Sequence, residues 1–97
     1  MSVSEERLGL LKAITDFEGR IEKMHLDFQK YCKGDLYRMP NWERLEADLL
    51  HFSRRKIFEL VTQKNLDRVL YKFQNRKRIW LRWVDEYQQN PNKGKED

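Results

Sequence analysis

Val61-Thr62-Gln63-Lys64-Asn65-Leu66-Asp67 (VTQKNLD) is the stretch on which the fold turns. It holds no Gly and no Pro. If it is helical, residues 42–87 form one long helix and the chain is a two-helix hairpin. Such a hairpin must dimerise to bury its seam. If it bends, the chain is an antiparallel three-helix bundle. Counting in heptads through Lys56, Glu59 and Gln63 to Leu66 keeps perfect register, which favours continuity. But those three positions put three polar residues in a row on the seam, and a buried seam wants apolar ones. The bend is therefore expected near Thr62–Asn65, with Asn65 capping the third helix.

On the C-terminal side Leu66, Leu70, Phe73, Lys77, Trp80, Val84 and Tyr87 recur with alternating spacings of four and three. That is the stripe of an amphipathic helix. The spacing predicts a helix over 65–89, stopped before Pro91, and a flexible polar tail over 91–97. On the N-terminal side Trp42, Leu45, Leu49 and Phe52 share one stripe, predicting a helix over 41–62 capped by Asn41. Before it, Gly34 and Pro40 in GDLYRMPN mark a break. The first 33 residues repeat the heptad pattern with Leu10, Ile14, Phe17, Ile21, Met24, Phe28 and Tyr31. Ser4 stands ahead of Glu5 and Glu6 as an N-cap, so a helix is predicted over 4–33. The expectation is an all-α domain over residues 1–90.

The totals agree with this class. The chain has 97 residues, 37% of them charged and 39% hydrophobic, a balance typical of long amphipathic helices. Three Trp, four Tyr and five Phe supply core bulk that a disordered chain lacks. One cysteine, Cys32, excludes an internal disulfide and favours a reducing compartment. The N-terminus meets acidic residues before any long apolar run, and no run approaches the about 20 residues that span a bilayer. A cytoplasmic protein with no membrane partner is the expectation.

Charge is where function enters. The net charge is +4. Between Arg54 and Arg82 ten basic residues stand against Glu59 and Asp67, enough to attract phosphate or an acidic partner. Projected at 100° per residue, Phe73 and Trp80 fall on the core face, whereas Ile79 and Trp83 fall with Lys72 and Arg76 in a second stripe. A Trp beside an Ile, rimmed by Arg, has the composition of a binding surface. The expected partner-binding face is Arg54, Arg55, Lys72, Arg76, Ile79, Arg82 and Trp83. Its expected partner is another protein or a second copy of the chain, with nucleic acid as the alternative, bound through counterion release and Trp or Tyr stacking. Phe58 and His51, and also Leu8, Leu11 and Leu26, project away from the core stripes.

Within that segment Phe73, Gln74, Asn75, Arg76 and Trp80 match a run that resembles the recognition helix of homeodomains, W-F-Q-N-R-R-x-K-W, over about nine residues. The resemblance implies DNA reading by that helix. It departs from the family at Lys72, where the first Trp belongs, and upstream, where Pro40 would fall on a core position. It is therefore read as coincidence.

Two further features are read as structural. Lys56 and Lys77 occupy core-register positions, where a Lys pairs with a carboxylate and fixes register; Glu18 and Glu22 are the expected partners. Glu22 and His25, like Asp48 and His51, have the carboxylate-x-x-His spacing of helical metal sites. But Asp48 and His51 point away from the core, so no metal site is expected. No phosphate loop, nucleophile–base pair, cofactor motif or small-molecule site is evident. The chain reads as a non-catalytic adaptor or regulator.

Overall fold

The heptad positions of the first 32 residues become the inner face of α1 (Val3–Cys32). Ile14, Ile21 and Phe28 are fully covered, and Leu10, Phe17, Met24 and Tyr31 pack around them. The structure is a computed structural model, which describes residues 3–89. Ser4 lies inside the first turn of α1 rather than before it. The expected tail over 91–97 lies outside the described residues.

α1 stops as expected. Gly34 adopts φ +88°, a conformation that costs glycine little. Its amide donates to Tyr31 O at 3.0 Å, and Asp35 N donates to Lys30 O at 2.8 Å, the paired bonds of a Schellman ending. The chain then crosses to Asn41, whose side-chain oxygen accepts from Arg44 N at 3.1 Å and opens α2 (Trp42–Ser53).

α2 is short. It ends at Ser53, and α3 (Leu60–Gln89) begins after six residues. The expected bend at Thr62–Asn65 is thus displaced towards the N-terminus: 54–59 is the connection, and 60–64 is helix. The polar seam did break the helix, but at its first member instead of its last. Beyond Phe52, continued helix would turn Lys56 and then Glu59 into the core. A non-helical connection instead lets Ile57 pack inward. Asn65 is not the cap. Glu59 is: its carboxylate accepts from Thr62 N at 2.7 Å and also takes the Thr62 hydroxyl, and its carbonyl receives the first helical bond, from Gln63 N at 3.0 Å. Thr62, expected in a turn, is buried. The Thr62 hydroxyl and amide hold the Glu59 carboxyl below the usual carboxylate range. Accordingly, Glu59→Ala should lower the thermal midpoint by several degrees, while Glu59→Asp, a better cap, should retain most of it. Thermal unfolding by circular dichroism checks this ordering.

The three helices make an up-down-up bundle. Glu18 meets Arg68, Glu22 meets Lys72 and Arg76, and Tyr31 meets Tyr87, so α1 and α3 run parallel. Phe17 meets Phe52 and Arg20 meets Asp48, so α2 runs against them. The result is a rod of 58 × 18 × 18 Å. Its core holds Ile14, Ile21, Phe28, Leu45, Leu49, Phe52, Leu66, Val69, Phe73, Trp80 and Val84, each fully buried side chain contributing about 1.5–3 kcal/mol. No helix among the described residues is long and apolar enough to cross a membrane.

Candidate interaction surface

A side chain's place on this rod depends on how far each helix extends. At 1.5 Å per residue α1 and α3 are each about 45 Å long and α2 about 18 Å. Glu18 pairs with Arg68 at 2.8 Å, so the start of α3 comes level with about Leu10. Residues 5–9 of α1 therefore run past both neighbours, and all five are exposed.

The expected seven-residue face is divided by this geometry. Lys72 and Arg76 turn onto α1. Lys72 Nζ lies 2.6 Å from Glu22 Oε1 and 3.9 Å from Glu18 Oε2, and Arg76 Nη2 lies 3.2 Å from Glu22 Oε1. The Arg68 guanidinium holds the Glu18 carboxyl below its ordinary range, and the Lys72 ammonium does the same for Glu22. Exposed pairs of this kind are worth only about 0.2–1 kcal/mol each, but together they fix the α1–α3 register. The cations expected to steer a partner are in part bound within the chain.

Trp83 and Ile79 are half-buried, not free. Trp83 packs against the core, with its ring 5.2 Å from that of His25. Trp80, by contrast, is fully buried as expected. It stacks on Phe28 at 5.0 Å, and its indole N–H donates to His25 Nδ1 at 3.0 Å. Arg82 is exposed about 100° around α3 from Trp83. Arg54 and Arg55 are exposed on the α2–α3 connection, with the Arg55 guanidinium 5.3 Å over the Phe52 ring. Arg55 lines a groove with Gly9, and Gly9 precedes His25 by sixteen residues, about 24 Å along α1. These two arginines and Trp83 therefore do not form one surface.

The register lysines also find other partners. Lys77 Nζ reaches Glu46 Oε2 on α2 at 2.7 Å and lies 4.8 Å over the Trp42 ring. Lys56 stays exposed beside the groove instead of meeting Glu18. Of the metal-type spacings, His25 is engaged by Trp80, Asp48 is paired with Arg20 and Arg44, and His51 is exposed.

A run of exposed apolar side chains stands at the end where α2 hands over to α3. Phe58 is 94% exposed, followed by Leu60 and Val61, both more than half exposed; Leu8, on the overrunning end of α1, is exposed as well. Ile57 packs against the core, while Lys56 and Phe58 on either side of it are exposed. Beside them is a groove of about 740 Å³ lined by Glu5, Glu6, Gly9, Leu10, Ala13, Phe52, Arg55 and Lys56. The outward direction of Phe58 was visible in the sequence. The groove was not, because it exists only where α2 stops short, and neither Glu6 nor Gly9 stands out before that is known. No family model, characterised protein or solved structure matches this chain.

Proposed function

We propose that this chain is a non-catalytic helical module that binds another protein through the end of the rod formed by the α2–α3 connection. The observation that carries the reading is Phe58: an almost fully exposed phenylalanine on a segment whose neighbour Ile57 is packed inward. Burying such a side chain is worth about 1.5–3 kcal/mol, which a partner can recover. With Leu60 and Val61 alongside and Arg54, Arg55 and Lys56 preceding it, Phe58 has the make-up of an anchor with a basic rim. A non-catalytic role is supported by the state of the reactive groups. Burial and the Glu86 charge push the Cys32 thiol up, away from the reactive thiolate, and Nδ1 of His25 is committed to Trp80.

Nucleic acid is the weaker reading. Of the ten cations between Arg54 and Arg82, Arg68, Lys72, Arg76 and Lys77 are paired to Glu18, Glu22 and Glu46, which removes them from a phosphate-binding stripe. A labelled oligonucleotide should show no salt-sensitive binding.

Phe58→Ser should leave helix content and unfolding midpoint unchanged, since exposed positions contribute within about 0.5 kcal/mol. It should weaken association by about 2 kcal/mol or more. A photo-crosslinking amino acid at position 58 checks the reading directly. Adducts with a protein are expected, and a folded chain that forms none in the cell refutes it.

A further inference from the structure

We propose that the α2–α3 connection is a processing site, cut between Arg55 and Lys56 by an endopeptidase that selects paired basic side chains. The inference goes beyond the docking reading and does not depend on it.

Adjacent basic residues occur in only two places in the chain, Arg54-Arg55-Lys56 and Arg76-Lys77-Arg78. Charge does not tell the two runs apart. Their backbones do. An endopeptidase takes its substrate as an extended segment, pairing main-chain N–H and C=O groups with the edges of its cleft. A helix has those groups committed internally and must be unwound first.

Arg76-Lys77-Arg78 lies in the interior of α3. Arg76 is paired to Glu22 at 3.2 Å and Lys77 to Glu46 at 2.7 Å, and both are half-buried. Phe73 and Trp80, each within a turn of the run, are fully buried. Unwinding α3 here breaks both ion pairs and pulls these rings from the core, so presenting this run takes opening of the whole bundle.

Arg54-Arg55-Lys56 follows directly on the end of α2, and all three residues are exposed. The amides of Arg54 and Arg55 still donate back to His51 O at 3.3 Å and Phe52 O at 3.2 Å. From Lys56 to Glu59 no amide donates to a main-chain carbonyl among the described residues. The Arg55 guanidinium rests over the Phe52 ring, an exposed contact that is weak. Only Ile57 ties the connection to the core. Presenting this run takes fraying of the last turn of α2 and release of Ile57, a local opening of low cost.

Hydrolysis adds one water across the amide. The C–N bond breaks, Arg55 gains a carboxylate and Lys56 an amino group. No helix is interrupted: α1 and α2 stay on one piece, and α3 with its Glu59 cap stays on the other. The contacts Glu18–Arg68, Glu22–Lys72 and Phe28–Trp80 join the pieces without passing through the connection. The product is a two-chain bundle in which Phe58 lies close to a new N-terminus.

The test incubates the purified full chain with an endopeptidase specific for paired basic residues and weighs the fragments by mass spectrometry. The folded chain should yield 1–55 and 56–97 with the run in α3 intact. The same chain unfolded in urea should be cut at both runs. The double variant Arg54→Gln, Arg55→Gln changes exposed positions and should keep its circular dichroism spectrum. Its cut at the connection should slow by at least about 100-fold, because a pocket built for a cation is left with its own charge unpaired. Native size exclusion should return the cut product as one particle with the 12.0 kDa mass of the intact chain.

The proposal is overturned if the folded chain stays whole while the unfolded chain is cut, if the folded chain is cut first in α3, or if the double variant is cut at an unchanged rate. Fragments that separate in native buffer refute the two-chain product.

Discussion

Trp80→Ala should cost the fold about 3–5 kcal/mol, the range for removing a large buried aromatic from a core. Domains of this size have only about 5–15 kcal/mol of stability in all, so the variant is expected to be partly unfolded at 37 °C. The loss has several sources. Trp80 is fully buried. Its ring lies 5.0 Å from Phe28, nearly parallel, and 6.0 Å from Phe73, edge-on, and such pairs add about 0.5–1.5 kcal/mol beyond area alone. Its N–H is held by His25. Trp83→Ala, three residues on, removes a half-buried ring and should cost clearly less. Urea unfolding of both variants checks the assignment. If Trp83→Ala proves equally damaging, the division of labour between the two indoles is wrong.

These two tryptophans show how much of the fold was legible. Periodicity placed Trp80 in the core correctly, because a heptad stripe records which side of a helix is covered. Residue type placed the α1 ending at Gly34 and the α2 cap at Asn41, where the side chain itself dictates a local backbone state. The α2–α3 connection was misplaced, because the residue that opens α3 is Glu59. Glutamate is not a favoured cap, so nothing local announces it, and the decisive fact is that Lys56 and Glu59 cannot follow Phe52 into the core. That is a tertiary constraint.

The candidate site was only half legible for the same reason. A helical wheel shows that Lys72, Arg76 and Trp83 leave the core face of their own helix. It does not show that α1 runs in parallel alongside, with Glu18, Glu22 and His25 at matching heights. Those three residues convert an expected docking stripe into an internal seam. Phe58 escapes this, since no helix covers the side of the connection from which its ring projects.

His25 makes the fold acid-sensitive at a higher pH than its carboxylates do. The Trp80 N–H can only donate, so Nδ1 of His25 must be bare and the imidazole neutral, with its proton on Nε2. Burial, assisted by the Arg76 charge and opposed by Glu22, pushes the imidazole below its ordinary 6.5. Above that value both folded and unfolded chains hold a neutral His25, and its contribution to stability is complete. As pH falls through 6.5 the unfolded chain takes up a proton that the folded chain refuses, so stability declines, by up to about 1.4 kcal/mol for each pH unit. The decline ends where the folded imidazole finally protonates, which breaks the bond to Trp80 and leaves a buried N–H unpaired, at about 1–3 kcal/mol. A second loss comes further down. Glu18, Glu22 and Asp48 are held below their ordinary values by Arg68, Lys72 and Arg20, so their contribution is present above those values and is lost as acid protonates them. Thermal midpoints measured from about pH 8 to about pH 4 should therefore fall in two stages. In His25→Gln the amide oxygen can still accept from Trp80 but does not titrate, so the upper stage should vanish while the lower one remains. An upper stage that survives intact in His25→Gln would assign the acid sensitivity to another group and rule out the indole–imidazole bond as its source.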